Sequence, residues 1–198
     1  MNLIVTDFTK MKDNKICLAG IDLESKLLIR PLPYIYTPWA LDRGISPGSI
    51  LKGEWWPKES LLAPHLEDCS YKNLEVDLIY RSVDLFSVLS EICSNSIVEG
   101  FGGIVAGSKK MSNTSLVKTS IVTIKINARC SSLSSDSEGK IRVDIKDGAG
   151  DLYCDLSLTD YNLLSKLNFD KKQIESFNES IRISNNVNCT GFRGGSNS

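Results

Sequence analysis

The residues most able to do chemistry sit together in one short stretch. Ala63-Pro64-His65-Leu66-Glu67-Asp68 holds the only histidine of the chain beside two adjacent acids. A histidine with two carboxylates can form an acid–base pair, hold a metal ion, or brace a loop by hydrogen bonding. Three such groups do not define a reaction, and the brace is the favoured reading. No serine or cysteine nucleophile motif accompanies them, so a His–carboxylate hydrolase ranks as the least favoured function and no catalytic residue is assigned.

The second group is cationic and aromatic. Leu27-Leu28-Ile29-Arg30 reads as a strand stopped by Pro31 and Pro33. Proline ends the ladder and leaves Arg30 at the rim, ready for an anion, or for a neighbouring acid such as Asp7 or Asp22. The loop 34–44 carries Tyr34, Tyr36, Trp39 and Arg43, and aromatic rings on a loop can stack nucleic-acid bases or fold back as a small satellite core. Lys52, Trp55 and Trp56 follow on one strand. The two tryptophans are consecutive and must point to opposite faces, so a binding role suits only one of them; Trp55 is the one carried forward as a candidate.

The elements that would position these groups are mostly strands. Segments 3–5, 16–21, 27–30, 49–56 and 74–80 are short β-branched or alternating runs, and Gly53 within the fourth suggests a bulge. A helix is expected over 83–93, with Val83, Phe86, Leu89 and Cys93 as its apolar stripe. Residues 107–115, GSKKMSNTS, have a linker's composition. Beyond them Val122, Ile124 and Ile126, then Ile141, Val143 and Ile145, then Leu152, Cys154, Leu156 and Leu158 alternate with polar residues, as in a three-strand meander. The serine-rich run 131–139 reads as a loop inside it. A helix around Leu163, Leu164 and Leu167 follows, then a polar helix over 171–179. Ile181-Arg182-Ile183 reads as a strand start, and residues 184–198 lack periodicity.

Composition limits the function. The apolar fraction is 41% and the charged fraction 24%, with 23 Lys+Arg against 24 Asp+Glu. Neither half is a basic module, which disfavours strong sequence-independent binding to phosphate backbones. Six cysteines without a CxxC and a single histidine disfavour a structural zinc site, so no metal or cofactor is expected. Scattered single thiols fit a reducing compartment. The absence of a long apolar run predicts no signal peptide and no membrane span, hence a cytoplasmic protein with no membrane partner.

Three strands, a capped helix and a return pair are the element order of an OB-fold barrel. The fold class expected is therefore mainly β with a few α elements: two tandem OB-like small β-barrels, the second incomplete. Domain one spans 1–110, domain two 115–183, and 184–198 form a disordered tail. The stretches IVTDFTKMKDNKICLAGIDLE, LLIRPLP, ISPGSILKGEW, APHLEDCSY, SIVEGF, SIVTIKIN and KIRVDIKDGAGDLYCDLSLTDY resemble, in this order, the bacterial dual OB-containing domain family. The resemblance covers residues 1–183. It implies two barrels in tandem, no established enzymatic activity, and a role in binding nucleic acid or nucleotides. The family's last two strands have no counterpart in 185–198, so an open sheet edge and self-association through it are expected. The expected partner is single-stranded DNA or RNA. The alternative is a nucleotide-like metabolite held at a barrel mouth by Arg30, His65, Glu67 and Asp68.

Overall fold

The computed structural model describes residues 1–59, 61, 64–79, 82–102, 105–106, 110–111, 117, 119–183 and 188–193. The chain is mainly β and divides into two units, 1–92 and 93–198. The sequence pattern placed the boundary in 107–115. It falls earlier, between Ile92 and Cys93, because the segment after Cys93 packs on the second unit's strands. Of the expected linker, only residues 110 and 111 are among those described.

The first unit is a closed barrel. Its strands are β1 (Asn2–Lys10), β2 (Lys15–Asp22), β3 (Leu28–Leu32), β4 (Ile35–Tyr36), β5 (Ser49–Pro57) and β6 (Asp68–Ile79), with helices α1 (Thr37–Asp42) and α2 (Ser82–Ile92). The order β1-β5-β6-β3-β2 closes through a β1–β2 ladder, and β4 is appended to the start of β2. Every pairing is antiparallel except β3 with β6, which run parallel. Five strands closed in this Greek-key manner are consistent with an OB-like barrel.

Close packing explains two glycines. At Gly20, opposite Val5, a β-carbon would collide with the Ile4 carbonyl oxygen and come within 2.8 Å of Leu3 Cγ. Gly53 lies in a register shift between Lys52 and Glu54, the bulge its position suggested.

The barrel's outside is closed by a row of cross-strand neighbours. Ile50 on β5 pairs with Ile4 on β1, Ile4 with Ile21 on β2, and Ile21 with Leu28 on β3. Leu85, Val88, Leu89 and Ile92 of α2 pack on this row, at i, i+3, i+4 and i+7. The expected stripe was rotated: Phe86 is 45% exposed. The apolar row, not the helix's own largest side chain, sets its phase.

The second unit contains α3 (Ile97–Phe101), β7 (Val105–Ala106), β8 (Lys110–Met111), β9 (Ile121–Ile126), a 3-10 turn at Ala128–Cys130, β10 (Ser132–Ser135), β11 (Ile141–Lys146), β12 (Leu152–Ser157), α4 (Tyr161–Leu167), α5 (Lys171–Ile183) and β13 (Asn188–Arg193). The meander is β10-β11-β12, not β9-β11-β12. The serine-rich segment is its first strand, fastened by Leu133, which is buried against Ile141, Leu167 and Ile174.

The expected alternation on β12 inverts in its first half: Tyr153 is buried and Leu152 is 63% exposed, while Leu156 keeps its expected buried place. The cause is a register shift between Val143 and Ile145. Asp155 stands opposite in the left-handed region (φ +56°) and donates its N–H to Asp144 Oδ1 at 2.8 Å. One extra residue moves every side chain on one side of it to the other face.

Two further expectations change. Residues 181–183 are the last turn of α5 rather than a strand start. The tail is not wholly without structure, because β13 pairs antiparallel with β9 from Asn188–Ile126 to Arg193–Ile121. The backbone edge of β9, a β-branched strand with a buried face, recruits this segment although its composition is that of a loop. Residues 184–187 and 194–198 lie outside those described.

Candidate functional site

The first unit gathers its polar chemistry where β3 meets the start of β6. The parallel register sets Arg30 opposite Asp68. The Arg30 backbone N–H donates to the Glu67 carbonyl at 2.8 Å. Its Nε donates to Asp68 Oδ1 at 2.6 Å, and Nη2 lies 3.6 Å from Glu67 Oε1. The partner acids are therefore Glu67 and Asp68, not Asp7 or Asp22. Side-chain exposure is 11% for Arg30 and 2% for Glu67, so this is a buried ion cluster. Burial works against the Arg30 charge, but the hydrogen bond and field of Asp68, then Glu67, more than restore it, and its pKa lies above the ordinary value.

His65 joins the same cluster through the cation. Arg30 Nη2 stands 2.9 Å from His65 Nδ1. A guanidinium only donates, so Nδ1 accepts and the imidazole proton is on Nε2. In a catalytic histidine–carboxylate pair Nδ1–H would donate to an acid; here that nitrogen faces a guanidinium. Ala63, also in this stretch, lies outside the described residues. Among the described residues, no group of His, Cys, Asp and Glu is arranged to hold a metal ion.

The aromatic candidates separate. Trp55 is half-buried and pairs across the ladder with Tyr71, their rings 5.9 Å apart and tilted by 45°. Its indole N–H is buried without a partner among the described residues. The Tyr71 hydroxyl donates to the Pro33 carbonyl at 3.1 Å, and burial pushes its pKa up. Trp56, on the opposite face, is 39% exposed, with Lys72 Nζ 5.8 Å from its ring centre. Of the two tryptophans Trp56 is the one open to a ligand. Lys52 pairs with Asp77 at 2.9 Å.

A second cationic–aromatic group lies at the β1–β2 hairpin. Asp13 and Asn14 both have positive φ, +58° and +54°, and the Lys15 N–H donates to the Lys12 carbonyl, closing a tight two-residue turn. Lys10, Lys12 and Lys15 are exposed and form no ion pair with a described residue. Lys15 pairs across the ladder with Tyr36, which is 55% exposed, and the Thr37 N–H donates to the Asn14 carbonyl at 2.7 Å. Just past α1, Arg43 stacks over Trp39 of that helix at 4.4 Å from the ring centre. Tyr34 is half-buried. The three lysines escaped the sequence pattern, in which 10–15 reads as a polar loop. The signal was present as Lys-x-Lys-Asp-Asn-Lys, whose Asp-Asn pair tolerates the left-handed turn.

No family model, curated protein or solved structure matches this chain.

Proposed function

We propose that the first barrel is a binding module for single-stranded nucleic acid, in a chain of the dual OB-type. The observation that carries this reading is the β1–β2 hairpin end, where Lys10, Lys12 and Lys15 project beside the exposed Tyr36. Ammonium groups without acidic partners among the described residues are available to phosphates, and an exposed ring gives a base a stacking surface. Trp56 with Lys72 repeats the combination on β5 and β6. The Arg30–His65–Glu67–Asp68 cluster is the brace that fixes the start of β6.

The nucleotide-sensor alternative needs the Arg30 guanidinium for phosphate, and that group is already engaged by Asp68, Glu67 and His65. Cys17, Cys69, Cys93, Cys130 and Cys154 form no disulfide, in keeping with a reducing cytoplasm. No described helix is long and apolar enough to cross a membrane.

The test is a fluorescence-anisotropy titration of the intact chain with short single-stranded DNA and RNA at low salt. Binding that weakens with salt and is reduced in Tyr36→Ala supports the proposal. The absence of binding at high micromolar protein rejects it.

A further inference from the structure

We infer that the His65–Arg30 contact is a proton-operated tether for the turn 64–67. Besides its ion pair with Glu67, Arg30 makes two hydrogen bonds to described residues of this turn. Its backbone N–H donates to the Glu67 carbonyl at 2.8 Å, and its Nη2 donates to His65 Nδ1 at 2.9 Å. The second contact exists only while Nδ1 carries a lone pair. A proton there turns an acceptor into a donor and sets an imidazolium against a guanidinium. Proton uptake and the tether are mutually exclusive.

The charges around the imidazole supply the other state. Arg30 contacts it from β3, and Glu67 and Asp68 of its own segment are paired with that same guanidinium. Cys17 on β2 would favour the Arg30 charge only as a thiolate, and Cys69, whose pKa is pushed up by burial and by Asp68, follows Asp68 on β6. With His65 neutral, the described groups of the cluster are one guanidinium and two carboxylates in a buried setting. An imidazolium would balance that charge, but only after leaving Arg30 and turning toward an acid. Two arrangements of one cluster, differing by a proton, make a two-state element. The turn leads directly into the parallel β3–β6 ladder, so release loosens the Arg30–Asp68 rung. This goes beyond the binding reading and does not depend on it.

The test is hydrogen exchange at the Arg30 amide of the intact chain from about pH 8 to about pH 5, the range in which imidazoles titrate, corrected for intrinsic exchange. His65→Asn keeps an acceptor oxygen near the Nδ1 position and removes the titration. Wild-type protection should fall by about tenfold or more on acidification, while His65→Asn stays flat. A flat wild type overturns the proposal. An equal fall in His65→Asn also overturns it, by moving the titration to Glu67 or Asp68. If that variant does not fold, the imidazole nitrogen resonances of the wild type decide. A neutral ring at about pH 8 with its proton on Nε2, and proton uptake at Nδ1 concurrent with loss of Arg30 protection, support the tether. A proton on Nδ1 of the neutral ring rejects it.

Discussion

Asn178 on α5 and Leu133 on β10 bond as two paired strand residues would. Asn178 Oδ1 accepts the Leu133 N–H at 2.8 Å, and Asn178 Nδ2 donates to the Leu133 carbonyl at 2.8 Å. One side chain thus satisfies both backbone groups at the centre of an edge strand, where another chain would otherwise add. Ile174 and Phe177 of the same helix pack beneath it.

Asn178→Ala should cost about 1–3 kcal/mol, the range for leaving such groups without partners. Asn178→Asp keeps the acceptor but sets a charged acceptor against the Leu133 carbonyl, and should cost at least as much. Urea denaturation checks the order, and light scattering reports any oligomers formed through the uncovered edge.

Arg30→Ala would strand two buried carboxylates and should destabilise the first unit by about 3–5 kcal/mol. Arg30→Ala combined with Glu67→Gln and Asp68→Asn should recover part of that loss, because the uncompensated charges are gone. A triple variant no better than the single one would mean that packing, not charge, dominates.

If the hairpin end binds a single strand, Lys12→Glu with Lys15→Glu should lower affinity. The slope of log K against log salt should become shallower by about 1.4, which is about 0.7 for each phosphate no longer neutralised. Trp56→Ala should cost about 1–3 kcal/mol of binding with little change in slope, since stacking is not ionic. A salt series of anisotropy titrations separates the two effects.

Asp22 gives a pH dependence of known sign. Burial pushes its pKa up, but hydrogen bonds from the Ser25 hydroxyl and N–H and the Glu24 N–H, aided by the N-terminal ammonium, bring it below the ordinary 3.8. A depressed folded pKa contributes stability above pH 3.8 that is lost as pH falls toward the lower folded value. Ser25→Ala, which removes the 2.6 Å bond from Ser25 Oγ, should therefore lower the melting temperature at neutral pH. The difference from wild type should shrink as pH drops through that window. A constant difference from about pH 7 to about pH 2 would count against the assignment.

Much of the first barrel could be read from residues alone, because β1, β2 and β3 announce themselves by β-branched runs and by prolines at their ends. Arg30 at a strand rim was legible too. The alternative reading grouped it with His65, Glu67 and Asp68, but not as its ion partners, since the parallel β3–β6 pairing joins residues 38 positions apart and no local pattern records it. Local alternation misled on β12, where Asp155 occupies a bulge that leaves no mark on apolar spacing. It misled again at β10, whose serines conceal a strand held by one leucine and by a helix that follows much later. The brace at His65 was the favoured reading of that cluster, and its acceptor role toward a guanidinium needed three-dimensional neighbours to be seen.

The pairing of β13 with β9 governs the order in which this chain can fold as it is made. The strands that close the first barrel, and the helix that covers it, lie within residues 2–92, so that unit can assemble as soon as this length has left the ribosome. The second unit cannot. β9 at Ile121–Ile126 waits for Asn188–Arg193, and until then its edge stands open in a growing chain. Non-local strand pairs form late and are exposed meanwhile. The interval between synthesis of Ile126 and of Arg193 is thus when the nascent protein most needs a chaperone, and slowing translation there should increase aggregation of the second unit while sparing the first.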